Sequence, residues 1–255
     1  MGEIRLIPLG VGDAFSAKHY TTCLALGSDD AWLLIECPHP IRKMLREATD
    51  AANLPFDLDQ VEAVAVSHLH ADHCSGLEDF GYYSYFALGR RARLAMHSDV
   101  SAKLWDGLLA AGMAEVQVER DGPILRKQLH DYFDLIPLDA QAPAPVAVGR
   151  FAIECRRTIH PIPTTAFRIR AGGRTLAFSA DTAYDPGLIA WLDEADLVVH
   201  EVTNLPESGV HTPYEKLAAL PASLRDKMRL IHYPDDFDLA ASLIEPLRQG
   251  RSYAV

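Results

Sequence analysis

Short apolar runs alternate along this chain with stretches whose apolar residues recur every three or four positions. The runs at 4–9, 31–35, 61–66, 151–155, 166–169, 175–178, 197–199 and 230–231 predict strands. The run at 61–66 is apolar except for Glu62, the pattern of a strand buried on both faces. Helical spacing predicts helices over 41–52, 76–86, 100–111, 186–192, 213–220 and 239–247. In the first of these, Ile41, Met44, Leu45 and Ala48 share a face. Thr212 reads as the N-cap of the helix that opens with Pro213. Gly10-Val11-Gly12 reads as a turn, since a GxG with no third glycine and no following helix is too weak a sign of a nucleotide loop. Asp13 is expected near the rim of a site. Many strands interleaved with helices predict a layered α/β protein. The segment 138–146, with Pro143 and Pro145, comes nearest to a linker. A boundary there would split the histidine pattern described below, so one domain spanning 1–255 is expected.

The 255 residues are 49% hydrophobic, enough for a sizeable core. With 24 Lys+Arg against 35 Asp+Glu the net charge is −11, which argues against a general nucleic-acid coat protein that must displace counterions from phosphates. The small clusters Arg90-Arg91-Arg93 and Arg156-Arg157 are expected to be solvated faces. No apolar stretch approaches the roughly eighteen residues that span a bilayer, and Met1-Gly2-Glu3 lacks the basic start of a signal peptide. A soluble, cytoplasmic chain with no membrane partner is expected. Cys23, Cys37, Cys74 and Cys155 are scattered, so they predict reduced, buried thiols rather than a disulfide framework.

The candidate chemistry sits where the apolar runs end. Residues 61–66 lead straight into Ser67-His68-Leu69-His70-Ala71-Asp72-His73. Likewise 175–178 leads to Ser179-Ala180-Asp181, 197–199 to His200-Glu201, 230–231 to His232, and His160 follows the run at 151–155. Strand ends of a layered fold tend to share an edge, and sites are built there. Four polar side chains directly after a buried strand would be costly to desolvate without a partner. Nitrogen and carboxylate donors suit zinc, iron or manganese. In an extended segment His68 and His70 project to one side, while Asp72 and His73, after a bend, point elsewhere. His68, His70, Asp72, His73, His160, Asp181 and His232 are too many for one ion. With one bridging carboxylate they fit two ions about 3.5–4 Å apart.

The stretch from Ser67 to Leu77 resembles the HxHxDH-xx-G signature of the metallo-β-lactamase fold superfamily, with supporting elements in order from about Ile4 to His232. The resemblance implies a four-layer αββα sandwich with metals at one edge of two sheets. It implies one metal on His68, His70, His160 and Asp181, and another on Asp72, His73, Asp181 and His232, with Asp181 bridging. Where the family often has Asp followed by a Cys-Gly turn, this chain has Glu36-Cys37-Pro38. Glu36 is then expected either to orient a histidine ligand or simply to face solvent at a strand end. Val199-His200-Glu201-Val202-Thr203, His211-Thr212 and Leu230-Ile231-His232 resemble the phosphodiesterase branch, which includes the tRNA 3′-processing endonuclease (RNase Z) and smaller cyclic-phosphate hydrolases. Carried over, Glu201 orients His211, and His211 contacts the phosphate or protonates the leaving oxygen.

The expected function is therefore that of a dinuclear metal-dependent hydrolase acting on a small or cyclic phosphodiester. A hydroxide held between two divalent ions, zinc first and manganese or iron as options, would attack phosphorus. Asp72 or Asp181 would accept the remaining proton and His211 would act as the acid. A small phosphodiester is preferred to tRNA because no long basic, Gly/Pro-rich inserted arm is present. Lactone, thioester or other carboxylic-ester hydrolysis on the same fold is the main alternative. An iron-dependent oxygenase and a non-catalytic metal-binding regulator rank lower, and a homodimer stays open. Tyr82, Tyr83, Tyr85 and Phe86 follow the metal loop and would either line the pocket or, the favoured reading, pack in the core.

Overall fold

The computed structural model describes residues 4–142 and 144–255; Met1-Gly2-Glu3 and Pro143, on which the signal-peptide and linker expectations partly rest, lie outside them. Two seven-stranded sheets carry the molecule. The first contains β1 (Ile4–Gly10), β2 (Cys23–Ser28), β3 (Ala31–Ile35), β4 (Val61–Ala65) and β5 (Ala92–His97). A two-stranded hairpin, β6 (Glu115–Val116) with β7 (Leu125–Arg126), precedes β8 (Phe133–Leu138), which joins the first sheet. The second sheet contains β9 (Val146–Val148), β10 (Phe151–Arg157), β11 (Thr165–Ala171), β12 (Arg174–Phe178), β13 (Leu197–Glu201), β14 (Met228–Ile231) and β15 (Glu245–Pro246). Finally β16 (Tyr253–Ala254) returns to pair with β1. The segment read as a near-linker is thus the crossover from β8 in one sheet to β9 in the other.

Alternation along the strands builds the layers. In β3, Leu33 and Ile35 join a core cluster with Ile153, Phe167 and Phe178 of the second sheet. Trp32 and Leu34, on the opposite face, pack with helix residues Met44, Leu45 and Ala48. Those residues belong to α1 (Ile41–Ala52), the helix expected from the spacing, which ends where Asn53 turns left-handed at φ 54° and its N–H bonds the carbonyls of Thr49 and Asp50. Helices over 186–192, 214–218 and 222–226 contribute Leu188, Leu192, Leu217 and Leu224 to the second sheet's side of the core. The arrangement is the expected αββα sandwich. Among the described residues no helix is long and apolar enough to cross a membrane.

Strand direction decides where the site lies. β3, β4 and β5 are mutually parallel, as are β12, β13 and β14. β1 pairs antiparallel with β2 and β2 with β3, so β1 runs the same way as β3. By the same two-step relation β10 runs with β12. Each of these strands therefore delivers its C-terminal residues to one edge of its sheet.

Several expectations fail for local reasons. No helix forms over 239–247. Asp238 Oδ1 accepts from the N–H groups of Ala240 and Ala241 in a turn, and residues from Glu245 enter β15. The helix at 213–220 shortens to Tyr214–Ala218 and has no side-chain cap, because Thr212 Oγ donates instead to the Thr182 carbonyl, 2.9 Å away. The stretch over 100–111 breaks into short α and π turns, and residues 76–86 resolve into Leu77–Tyr82 followed by a π turn. Arg90 is not a solvated face: its guanidinium donates to the carbonyls of Leu58, Asp59 and Val61. All four cysteines are free and buried, and burial raises their thiol pKa.

Candidate metal centre

β4 ends at Ala65, and the chain then passes through Val66 and Ser67 into α2 (Ala71–Cys74). That extended-then-helical path separates the signature into two pairs, as expected. His68 and His70 lie on the extended part, while Asp72 and His73 lie on the helical turn. His160 comes from the end of β10, Asp181 from β12 and His232 from β14. Ala180 and His232 both sit at positive φ, 50° and 58°, and Glu36 after β3 does so at 69°. Three non-glycine residues held left-handed at three strand ends are costly locally, and such strain is stored where a site must be shaped.

Among the described residues, His68, His70, His160 and Asp181 form one donor group and Asp72, His73, Asp181 and His232 form another. His70 Nδ1 lies 3.1 Å from both His68 Nε2 and His160 Nε2. His73 Nε2 lies 3.1 Å from Asp72 Oδ2 and 3.3 Å from Asp181 Oδ1, and His232 Nε2 lies 3.6 Å from Asp181 Oδ2. Donors around a tetrahedral ion at about 2.0–2.1 Å stand roughly 3.3 Å apart. These separations are close to that value, while His68 and His160 stand farther from Asp181 Oδ2, at 3.8 and 4.0 Å.

Hydrogen bonding on the far side of each ring fixes what faces inward. His160 Nδ1 lies 3.2 Å from the Val210 carbonyl, which only accepts, so Nδ1 carries the proton and Nε2 presents a lone pair. Thr22 Oγ donates its one hydrogen to the Gly12 carbonyl and therefore accepts from His232 Nδ1 at 2.9 Å. Ser67 Oγ meets His68 Nδ1 at 2.8 Å. His73 Nδ1 faces Glu36 Oε1 at 3.5 Å, while Glu36 Oε2 accepts from the Ser67 N–H. Glu36 is fully buried, so of its two expected readings the solvent-facing one is excluded. The lone pairs of several imidazoles thus converge on carboxylate oxygens. Both His73 ring nitrogens and Asp181 Oδ1 are buried with no hydrogen-bond partner. Such an arrangement is repulsive unless a cation or extra protons enter it, and the donor set fits divalent metal.

The electrostatics follow from the same contacts. Burial would raise the Asp181 carboxyl, but His232, His73 and His68 outweigh it and hold it well below the ordinary carboxylate range. Burial lowers His68. Burial would also lower His73, yet Asp181, Asp72 and Glu36 pull it well above the usual histidine value.

His211 stands beside the cluster with Nδ1 4.0 Å from Asp181 Oδ2 and 3.3 Å from Glu201 Oε2. Its ring stacks on His232 with centroids 5.3 Å apart. Glu201 is held rigidly: its Oε1 accepts from the N–H groups of Thr182 and Thr212, and its own N–H donates to Ser179 Oγ. Burial pushes Glu201 up to about 7 against the opposing pull of His211. Burial would lower His211, but Glu201 and Asp181 raise it above the ordinary value. His200 is a different kind of residue: buried, with Nδ1 on the Glu201 carbonyl, and pushed by burial down to about 4.

None of the four aromatics after the metal loop lines the cleft over the donors. Tyr82, Tyr83 and Tyr85 pack beneath α1 as favoured, Tyr82 and Tyr85 edge-on to Tyr132, whereas Phe86 is exposed rather than in the core. That cleft, of about 320 Å³, opens between Phe15, Asp72, His160, Pro161, Val210 and His211. Phe15 and Thr22 escaped the sequence reading. Thr22 gives no signal, because its partner lies 210 residues away. Phe15 gives a faint one, a lone aromatic in a polar loop.

A family model described as Anti-Pycsar protein Apyc1 matches residues 4–249. The Anti-Pycsar protein Apyc1 of Paenibacillus sp. (strain J14) is 28% identical over 258 residues, covering 99% of each chain. The metallo-β-lactamase fold protein YhfI from Bacillus subtilis superposes with a TM-score of 0.76 at 18% identity, covering 99% of this chain and 100% of that one. The short form of human tRNase Z does so with a TM-score of 0.69 at 17% identity, covering 98% of each. The fold is the expected metallo-β-lactamase fold.

Proposed function

The chain belongs to the Anti-Pycsar protein Apyc1 family, and we propose that it is a dinuclear metal-dependent phosphodiesterase that opens a small or cyclic phosphodiester. The observation that carries this reading is the pair of four-donor groups sharing Asp181, with His211 4.0 Å from the shared carboxylate. Divalent cations, zinc foremost, would neutralise charge on the phosphoryl oxygens and bring a bound water's pKa to around 7.

The protein's own residues supply the rest. Asp181 presents one oxygen toward His73 and the other toward His68 and His160, which suits it to serve both groups at once. Asp72 lines the cleft and is less buried than Asp181, which supports the reading that it would accept a proton from the attacking water. Glu201 fixes His211 through Nδ1 and leaves the opposite ring nitrogen free to protonate the departing oxygen. Thr22, Ser67, Glu36 and the Val210 carbonyl orient the four Nε2 donors. The cleft's volume lies at the lower end for ligand pockets, about 300–1,000 Å³, and the net charge of −11 disfavours a long polyanion. Both favour a small substrate over tRNA.

The test is to load the purified protein with zinc or manganese and assay a 3′,5′-cyclic nucleotide beside a lactone and a thioester. Hydrolysis of the cyclic phosphodiester alone is expected. Turnover of the lactone or thioester without the phosphodiester would instead assign a carboxylic-ester hydrolase.

A further inference from the structure

The turn that carries Asp181 is held by more than its strand. Ala180, just before it, sits at φ 50°, a left-handed conformation that is costly for a non-glycine residue and persists only where the surroundings over-determine it. The two peptide units that follow supply that restraint, and each is bonded on both sides. In the first, the Asp181 carbonyl accepts from Thr158 Oγ at 2.8 Å and the Thr182 N–H donates to Glu201 Oε1 at 3.1 Å. In the second, the Thr182 carbonyl accepts from Thr212 Oγ at 2.9 Å and the Ala183 N–H donates to the Ile159 carbonyl at 2.8 Å. Both units therefore form a crossbar between the end of β10 and the segments that bear Glu201 and Thr212. Thr158 acts on two loops at once. Its N–H donates to the Thr164 carbonyl at 3.2 Å, closing the loop in which His160 lies two residues on, while its hydroxyl holds the peptide of Asp181. His160 and Asp181 meet in one donor group, although Thr158 belongs to neither group.

We infer that Thr158 is a positioning residue for the metal centre: its hydroxyl sets the spacing of His160 and Asp181, two donors that arrive from different strands. The inference rests on the metal centre of the reading above and not on that reading's choice of substrate. Asp181 is only 2% exposed, so a carbonyl there that loses its donor must turn to find another. Rotation of that peptide carries the shared carboxylate with it. Sites of this kind tolerate donor displacements of only about 0.5 Å. Loss of a group that orients a ligand accordingly costs about 10–100-fold in metal affinity.

Zinc affinity is measured on the full chain, stripped of metal, by competition with a chromogenic chelator for wild type, Thr158→Val, Thr158→Ala and Thr158→Ser. Thr158→Val keeps the branched shape and removes the hydroxyl, and should weaken at least one zinc equivalent on the order of 10-fold. Thr158→Ala should do the same, and Thr158→Ser, which restores the donor, should bind as wild type does. Melting temperatures of the metal-free proteins are followed alongside, because a hydroxyl that only stabilises the fold would lower them without touching zinc affinity. Unaltered zinc affinity in folded Thr158→Val or Thr158→Ala overturns the inference, whatever the melting temperature does. A Thr158→Ser protein that loses as much affinity as Thr158→Val overturns it too, since the hydroxyl is then not the agent. Failure of both hydroxyl-free variants to fold would assign Thr158 to the fold and overturn the positioning role. Wild type that takes up no zinc overturns the inference and the metal reading together. Affinity lost in Thr158→Val and kept in Thr158→Ser, with no hydrolysis of a cyclic phosphodiester by zinc-loaded wild type, keeps the inference and overturns the phosphodiesterase reading.

Discussion

At Asp181 one carboxylate meets both donor groups, and its exchange for an amide is the sharpest change available at a single residue. Asp181→Asn keeps the size but removes the charge that opposes the surrounding imidazoles. Metal analysis is expected to fall from two equivalents to one or none, with activity down more than about 100-fold. His211 should behave differently, because it belongs to neither four-donor group and its Nδ1 faces Glu201 Oε2 instead. His211→Ala is expected to lower kcat by about 10²–10⁴ while metal content holds. An equal loss of metal in both variants would refute this division of roles. The pH profile has a definite sign. As the proposed acid His211 would act protonated, and Glu201 and Asp181 raise its pKa, so activity should fall as pH rises through that raised value. Glu201→Gln removes a carboxylate that raises it and should move the alkaline limb to lower pH; a limb that stays in place would contradict the pairing. The seven donors were legible because HxHxDH concentrates four of them, and each of the other three follows a strand. Thr22 was not legible, since its partnership exists only after the two sheets meet.

Strand ends do the positioning, and the glycine that closes the signature shows how tightly. The Gly76 N–H donates to the Cys37 carbonyl, and the Cys37 N–H donates to the His73 carbonyl. This lacing presses the turn that bears Glu36 against α2. A Cβ on Gly76 would stand 2.4 Å from the Pro38 carbonyl oxygen, which is backbone and cannot step aside cheaply. Gly76→Ala should therefore cost about 1–3 kcal/mol in urea unfolding. It should also weaken metal binding at the His73 group. An unchanged unfolding midpoint would sink that account. Strands that are apolar and short of punctuation were legible, as β3, β4 and β12 show. β2 and β8 were not, because Gly27 breaks the first and Asp134 and Pro137 break the second. The helix expected over 239–247 failed because apolar spacing alone cannot report the Asx turn at Asp238 or the edge strand at Pro246.

Across the whole molecule, the donor groups join the two sheets: His68, His70, Asp72 and His73 belong to the first, and His160, Asp181 and His232 to the second. Metal there should staple the sandwich in its folded state. At ligand concentrations about 1,000 times Kd the linkage is worth about 4 kcal/mol per site, so chelation should lower the melting temperature and added metal should restore it. A melting temperature indifferent to chelator would mean that the edge is held by protein contacts alone. The layered class was legible from alternating strand and helix patterns. The order of strands was not, because periodicity says nothing of which strand lies beside which, and β16 closes the first sheet from the far end of the chain.

The most direct measurement is anomalous diffraction from crystals of the zinc-loaded protein. Two peaks about 3.5–4 Å apart are expected, one among His68, His70 and His160, the other among Asp72, His73 and His232, with Asp181 between them. A single peak, or zinc bound anywhere but beside Asp181, would contradict the shared two-metal centre.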